Sequence, residues 1–405
     1  MSPASLPSAA PRPAAAPVSS ARSTWAVGRE DDFDFGSVEY GDLHARAGSP
    51  PFQHGVWLSE LYGVLAPRRH ARKVVVTVRD ADGHLVLVLP LVRVRNGPVR
   101  VLEHANLGVS DYAEPVVDPR EAAALLGDRA VARQVRAALG GFDLLRVAHV
   151  PDSPDVFLSM LAGARAVRHH YRTHVIDLPG TVEEWQAALE PGFARQLSRR
   201  YKRLRPRGEH RLRVVDDPAD VEPVMSRMRQ FRAVRFGERG GVDLVQDPDC
   251  FAFYCAVARR SLGNGPGRLV TLDVAGEPVV VVLGLANVTT ELYVLVGYDL
   301  ERFRNVSLGL VIVAELARAA IGRGQRQLDL TVGDEPYKAD FGARSRPLYE
   351  VRVSRTPLGA AAALLRDGNL RARRLAKAVA RRVELGRAGG RTSVTAGTPA
   401  AKGRR

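Results

Sequence analysis

Apolar and polar positions follow two rhythms along this chain, and the rhythms succeed one another in the same order twice. Alternating or continuous apolar runs mark strands at Lys73 to Arg79, Leu85 to Val94, Val99 to Leu107 and Phe142 to Val150. Asp80-Ala81-Asp82-Gly83 and Asn96-Gly97-Pro98 separate the first three of these as turns. A helix is predicted over Arg120 to Leu139, closed by Gly140-Gly141. Strands recur at Arg268 to Val274, Val279 to Leu285 and Glu291 to Val296. A helix at Leu308 to Ile321 and a strand at Leu328 to Val332 follow. Strand–strand–strand–helix–strand thus occurs twice, without evident sequence identity between the copies. Such an order favours a mixed α/β sheet in each half.

The remaining elements fit around these two units. Trp57, Leu58, Leu61 and Leu65 carry helical spacing after Pro50-Pro51. A short helix is expected at Asp155 to Leu161, and strands at His170 to Leu178 and Tyr349 to Ser354. Three further helices are expected: Trp185 to Leu204, interrupted at Pro191-Gly192, then Asp220 to Phe236, and Asp249 to Leu262 led by Pro248. The resulting organisation is a disordered Ala/Pro/Ser leader over 1–24, an N-terminal domain over 25–180, a C-terminal domain over 181–354, and a basic tail over 355–405. Leu364, Leu365, Leu370, Leu375, Val379 and Val383 give the tail an amphipathic helical pattern. A basic helix of this kind can lie peripherally on an anionic membrane.

Charge needs locating before it is interpreted. The 405 residues carry a formal net charge of +15. The excess sits in 355–405 and in Arg195 to Arg213, and the rest of the chain is mildly acidic. A general nucleic-acid surface is therefore not implied, and no specific nucleic-acid partner is expected. Two cysteines, Cys250 and Cys255, exclude a disulfide framework and a cysteine-rich zinc module. No apolar run reaches transmembrane length and the leader lacks a secretory core, so a cytoplasmic protein is expected. His169, His170 and His174 lie in or beside a strand with no acidic partner in view. No metal site is expected there. Gly-x-Ser-x-Gly, Walker and dinucleotide fingerprints are absent from the sequence.

The densest run of reactive groups begins where the strand at Leu328 to Val332 ends. It reads Gly333-Asp334-Glu335-Pro336-Tyr337-Lys338 and continues to Ala339-Asp340-Phe341-Gly342. A glycine lets the backbone turn at a strand's C-terminal end, where open α/β sheets place ligands. Two carboxylates, a phenol and an ammonium in five residues could supply a proton acceptor, a hydroxyl and an anion clamp. The alternative is a strand-to-helix loop capped by Asp334. In the basic segment, Arg195, Arg199, Lys202 and Arg203 share a helix face. They form either a local anion contact or a solvated charged face. Asp111 and Tyr112, after Val109-Ser110, either line a cleft between the halves or form an exposed turn.

On GDEPYKADFG, the tryptophan helix EEWQAALEPGFARQLSRRYKRLR and the strand run LYVLVGYD, the second half resembles the CelD/BcsL-type acetyltransferases, a branch of the GNAT superfamily. PFQHGVWLSEL and LGVSDYAEPVVD match more loosely, and the layout extends over roughly 80% of the chain. The resemblance implies tandem GNAT-like halves, each a mixed, mostly antiparallel sheet flanked by helices, as in the Fem peptidyltransferases. It also implies acetyl-CoA as co-substrate and an amine or hydroxyl acceptor on a sugar, polysaccharide precursor or related small molecule. The pyrophosphate would bind at the N-terminus of the Leu308 helix. The superfamily's Arg/Gln-x-x-Gly-x-Gly/Ala signature can be laid from Arg302 or from Arg304. These registers involve Asn305, Ser307, Leu308 and Gly309, and Ser307 stands where a glycine is usual.

By the same resemblance Asp334 or Glu335 is the base, Tyr298 or Tyr337 the hydroxyl facing the thioester, and Lys338 a clamp or an orienter of the acid pair. Arg199, Lys202, Arg203, Asp111 and Tyr112 are candidates for contact with the acceptor. Two rivals remain. One is a Fem-like transferase using aminoacyl-tRNA, and the other is a non-catalytic scaffold in polysaccharide biosynthesis.

Overall fold

The computed structural model describes residues 25–239 and 243–368; the leader 1–24 and the tail beyond 368 lie outside the described residues. Among the described residues thirteen strands occur in chain order: β1 Ala26–Arg29, β2 Arg72–Arg79, β3 Leu85–Asn96, β4 Val99–His104, β5 Val116–Val117, β6 Leu144–Pro151 and β7 Arg165–Asp177 in the first half, then β8 His210–Val214, β9 Gly267–Val274, β10 Glu277–Ala286, β11 Thr290–Tyr298, β12 Gln327–Val332 and β13 Arg344–Ser354. All belong to one sheet, in the order β1-β2-β3-β4-β6-β13-β7-β12-β11-β10-β9-β8, with β5 beside β3. Neighbours are antiparallel except β4/β6 and β11/β12, one parallel pair in each half. The doubled strand–strand–strand–helix–strand order expected from the sequence is thus present, and the architecture is α/β and mostly antiparallel.

The halves share more than an edge. β13, the last strand of the chain, lies between β6 and β7, while β7 pairs with β12 of the second half. The position 180/181 therefore does not coincide with a break in the sheet.

Local chemistry accounts for the elements. Asp80 closes the β2–β3 turn by accepting from the N–H groups of Asp82 (3.0 Å) and His84 (2.9 Å). The helical stretch expected over Arg120 to Leu139 is two helices, Ala122–Gly127 and Arg129–Ala138, because Asp128 breaks the run and caps the second. Thr181 and Glu184 form a reciprocal capping box on Val182–Ala188, and Pro191 starts the next helix, Pro191–Leu204. Asp247 caps Pro248–Arg260 through the N–H groups of Asp249 and Cys250.

Three of the four apolar clusters among the described residues organise the packing. One fills the face of the second-half sheet covered by the Pro191–Leu204 and Leu308–Gly322 helices, around Phe193, Leu197, Val282, Ile312 and Leu330. A second belongs to the first half, around Val76, Leu89, Val135 and Leu145. The third joins both halves: Trp57 meets Phe253 edge-to-face at 4.9 Å, and helix Pro218–Arg239 contributes Met225 and Met228. Residues 357–368, the start of the basic tail, are helical and docked by Arg352 and Arg366 through Asp367 and Glu350. Leu364 and Leu365 on this helix are exposed. Among the described residues, no helix is long and apolar enough to cross a membrane.

Candidate active site

The site follows from a failure of strand pairing. β11 and β12 run parallel and are in register at Thr290/Gln327, Glu291/Leu328 and Leu292/Asp329, and there the pairing ends. Beyond it β12 bulges. Thr331 takes φ +53°, a left-handed conformation that is costly for a β-branched residue, and its N–H turns back onto the Asp329 carboxylate at 2.7 Å. The strands part, and a cavity of ≈ 540 Å3 occupies the opening. Tyr293, Val294, Val296 and Tyr298 of β11 line one side, and Leu330, Thr331 and Val332 of β12 the other.

The helix Leu308–Gly322 points its first turn into this opening. Ser307, Leu308, Gly309 and Leu310 all line the cavity. Ser307 stands at the N-cap position with φ +60°, and its side chain makes no cap hydrogen bond. It occupies the left-handed backbone region that glycine favours. Unsatisfied N–H groups at such a helix start attract anions.

Cations surround that helix start. Arg200 and Gln196 reach the cavity from Pro191–Leu204, Arg232 and Arg235 from Pro218–Arg239, and Arg304 from the turn before Ser307. Arg200 Nε is buried with no hydrogen-bond partner among the described residues. Arg235 lies over the Tyr298 ring at 5.3 Å. Arg232 is committed elsewhere, to Asp243 (2.7 Å) and the Val296 carbonyl (2.8 Å). Gly297 permits this approach, because a Cβ there would stand 2.7 Å from the Met228 carbonyl of the same helix.

Of the reactive run after β12, Glu335, Tyr337 and Lys338 line the cavity and Asp334 does not. Asp334, its side chain 42% exposed, accepts a hydrogen bond from His174 Nε2 at 3.0 Å, with Arg172 at 4.0 Å. Two expectations are corrected here: His174 does have an acidic partner, and Asp334 faces that histidine rather than the cavity. Lys338 is 2% exposed, and its ammonium donates to the carbonyls of Thr331 (3.2 Å), Val332 (3.3 Å) and Gly333 (3.0 Å) and pairs with Glu335 (3.1 Å). It pins the parted end of β12 as well as orienting an acid. Burial pushes the Tyr337 phenol well above its ordinary range, so it stays protonated.

The other expected residues divide. Arg302 points outward to Glu277 (2.6 Å), which leaves the register from Arg304 as the one facing the cavity. Asn305 is also outside and presents its carbonyl to Arg203 (3.1 Å). Arg199, Lys202 and Arg203 are exposed, whereas Arg200 and Gln196 of the same helix face inward. Sequence reasoning put weight on the charged stripe. The apolar phase of Phe193, Leu197 and Leu204 was the signal that residues 196 and 200 flank the buried side.

Asp111 and Tyr112 come from the first half and reach the second. In the first half the parallel pair β4/β6 also parts, after Glu103/Arg146, but there the opening is closed by the chain's own loop: Ala113 N–H donates to the His149 carbonyl at 3.1 Å. That loop carries Tyr112, whose hydroxyl donates to the buried Asp329 carboxylate at 2.8 Å, with Thr173 alongside. Asp111 bonds Thr331 and lies near Lys338. Burial and the Asp329 charge raise it to about 6. The exposed-turn alternative for this pair is thereby corrected.

Residues 192–339 match the family model described as an acetyltransferase (GNAT) domain. The matched stretch encloses β11, the Leu308 helix, β12 and the reactive run through Lys338. Among solved structures, FemX aligns with TM-score 0.54 at 13% identity, over 78% of this chain and 96% of that one. L-PGS from Bacillus licheniformis aligns with TM-score 0.53 at 12% identity, over 80% and 94%. At such identities the likeness is one of fold. No curated protein matches the sequence.

Proposed function

We propose that the chain is a GNAT-type acyltransferase that takes an acyl thioester, acetyl-CoA in the first instance, in the ≈ 540 Å3 cavity and passes the acyl group to an amine or hydroxyl of a sugar or related small acceptor. One observation carries the reading. The opening between β11 and β12 combines unpaired strand edges with a helix N-terminus and the cations Arg200, Arg235 and Arg304. Free edge N–H groups can hold an extended amide-bearing arm and polarise a carbonyl, while the helix start and arginines suit phosphates.

The residues then have distinct tasks. Glu335 accepts the proton of the attacking amine or hydroxyl, directly or through water. The new C–N or C–O bond forms as the thioester C–S bond breaks. Tyr298, 4.0 Å from where a Gly309 Cβ would stand, or Tyr337 supplies a proton to the departing thiolate. Lys338 orients Glu335 and fixes the carbonyls of the bulge.

A second reading has its own support. Arg199, Lys202 and Arg203 form an exposed basic face beside the cavity mouth, and the fold is shared with FemX and L-PGS. An aminoacyl-tRNA donor would use that face. The deciding experiment is isothermal titration of the full chain with acetyl-CoA and with free coenzyme A. Micromolar binding supports the thioester reading. No binding by a folded, monodisperse sample overturns it and favours the RNA donor, for which RNase-sensitive co-purification is the check. The exposed Leu364 and Leu365 keep peripheral membrane contact through the tail as part of the proposal, tested by vesicle co-sedimentation.

A further inference from the structure

A second cavity, ≈ 400 Å3, opens where the first-half loop crosses β12, and the proposed acyl transfer uses none of its polar groups. Asp329, 2% exposed, lines it and is fixed by Tyr112 and the Thr331 N–H. Glu114 faces it from the loop, and Asp152 from the end of β6. Arg346 of β13 is the cation on the wall, and Asp152 already holds it through paired hydrogen bonds, Nε to Oδ1 at 2.8 Å. Thr290 and Gln327 add a hydroxyl and an amide.

The lining has a charge imbalance. Three carboxylates face one guanidinium, and that guanidinium is taken. Glu114 makes no side-chain hydrogen bond among the described residues. Its charged neighbours are Arg346 and Asp152, and burial raises it to about 7. An anionic ligand would meet repulsion here, whereas a ligand bringing positive charge and N–H donors would satisfy the acceptors. A bare metal ion fits poorly, because among the described residues the ligand atoms of acidic groups and histidines converge only at Asp80, Asp82 and His84, far along the chain in the β2–β3 turn. The volume suits a molecule of hexosamine or short-diamine size.

We propose that this cavity is a binding site for a small ligand bearing a primary ammonium group, with Glu114 and Asp329 as its acceptors and Thr290 and Gln327 as polar neighbours. The site lies next to the donor cavity along β12: Gln327 and Asp329 line one, and Leu330, Thr331 and Val332 the other. The proposal does not depend on the thioester reading, since it concerns ligand binding in the absence of any donor.

Isothermal titration of the full chain at pH 7 tests it, with putrescine and glucosamine as probes and glucose as the uncharged match. At least one ammonium probe should bind and glucose should not. Glu114→Gln should weaken that binding at least tenfold, and Asp329→Asn should do the same where circular dichroism shows it folded. Binding should also release a proton from Glu114, seen as heats that differ between Tris and phosphate buffers. Absence of binding by both ammonium probes, equal binding of glucose, or an unchanged affinity in Glu114→Gln overturns the proposal. Coenzyme A titrated into Glu114→Gln reports on the donor cavity separately, so failure of one reading is not mistaken for failure of the other.

Discussion

Arg200 and Arg302 make opposite predictions, although the sequence pointed to Arg302 and not to Arg200. Arg200 projects into the donor cavity with its Nε buried and unpaired. A guanidinium in that state gains a charge-assisted hydrogen bond when a phosphate arrives, worth about 1.5–3 kcal/mol. Arg200→Gln should therefore weaken coenzyme A binding by about 10- to 150-fold. Arg302 lies outside, its side chain 52% exposed and bonded to the 59% exposed Glu277 at 2.6 Å. Surface pairs of this kind contribute about 0–1 kcal/mol, so Arg302→Gln should change coenzyme A affinity by less than about fivefold. Isothermal titration of the three proteins at low and at 0.5 M salt reads both effects, with circular dichroism as the control for folding. The wild-type affinity should fall with salt, and the Arg200→Gln protein should respond less steeply. Equal losses from both substitutions, or no loss from Arg200→Gln in a protein that binds coenzyme A, would refute the placement of the phosphates at the Leu308 helix start.

Lys338→Ala leaves three carbonyls of the bulge without their donor and should cost about 2–4 kcal/mol, lowering the melting temperature by about 3–6 °C in a thermal scan. Gly297→Ala places a methyl 2.7 Å from the Met228 carbonyl, so the Pro218–Arg239 helix must move. A loss of about 1–3 kcal/mol in urea unfolding, together with weaker coenzyme A binding through Arg235, is expected. Asp111 predicts a pH dependence. Its folded value of about 6 lies above the ordinary 3.8, so its contribution to stability is whole below pH 4 and declines as pH rises through 6. Asp111→Asn should therefore be more stable than wild type at pH 7.5 by about 1–3 kcal/mol and no more stable at pH 4, as read by denaturant titration at both pH values.

What was legible in the sequence was whatever a short stretch encodes by itself. Asp80 to Gly83 specified a hairpin, Pro191 and Pro248 specified helix starts, and the order of elements specified an α/β protein with a repeated unit. The reactive run after β12 stood out because glycine, acids, phenol and ammonium are adjacent in the chain, and three of its members meet in the cavity. Pairings that join distant segments left no such mark. Asp334 and His174 are 160 residues apart, and the bond between them exists because β7 crosses into the second half beside β12. Strand β8, His210–Val214, was hidden because its arginines read as part of a charge run, although Leu212 and Val214 alternate within it. On the Pro191–Leu204 helix, charge drew attention to the solvent face while Gln196 and Arg200 sat beside the apolar stripe.

The repeated unit also shows how the two halves differ in structure. Each half has a parallel pair that parts after three paired positions, β4/β6 and β11/β12, so each backbone offers the same kind of opening. In the first half the segment from Ala105 to Glu114 folds back into that space. It is held by Ala105 N–H on the Pro90 carbonyl, Ala113 N–H on the His149 carbonyl, and the buried His104 ring on the Glu114 carbonyl. A polar backbone can fill such a gap only if its own groups are satisfied, and these three contacts satisfy the Ala105 and Ala113 N–H groups and the Glu114 carbonyl. The loop occupies that opening, and its contacts do not end there. Asp111 reaches Thr331, Tyr112 reaches Asp329, and Glu114 faces the second cavity. The same first-half segment thus fills the opening in its own half and braces the strand whose bulge opens the other. β13 and β7 cross at the sheet's centre, so this bracing depends on both halves being folded together.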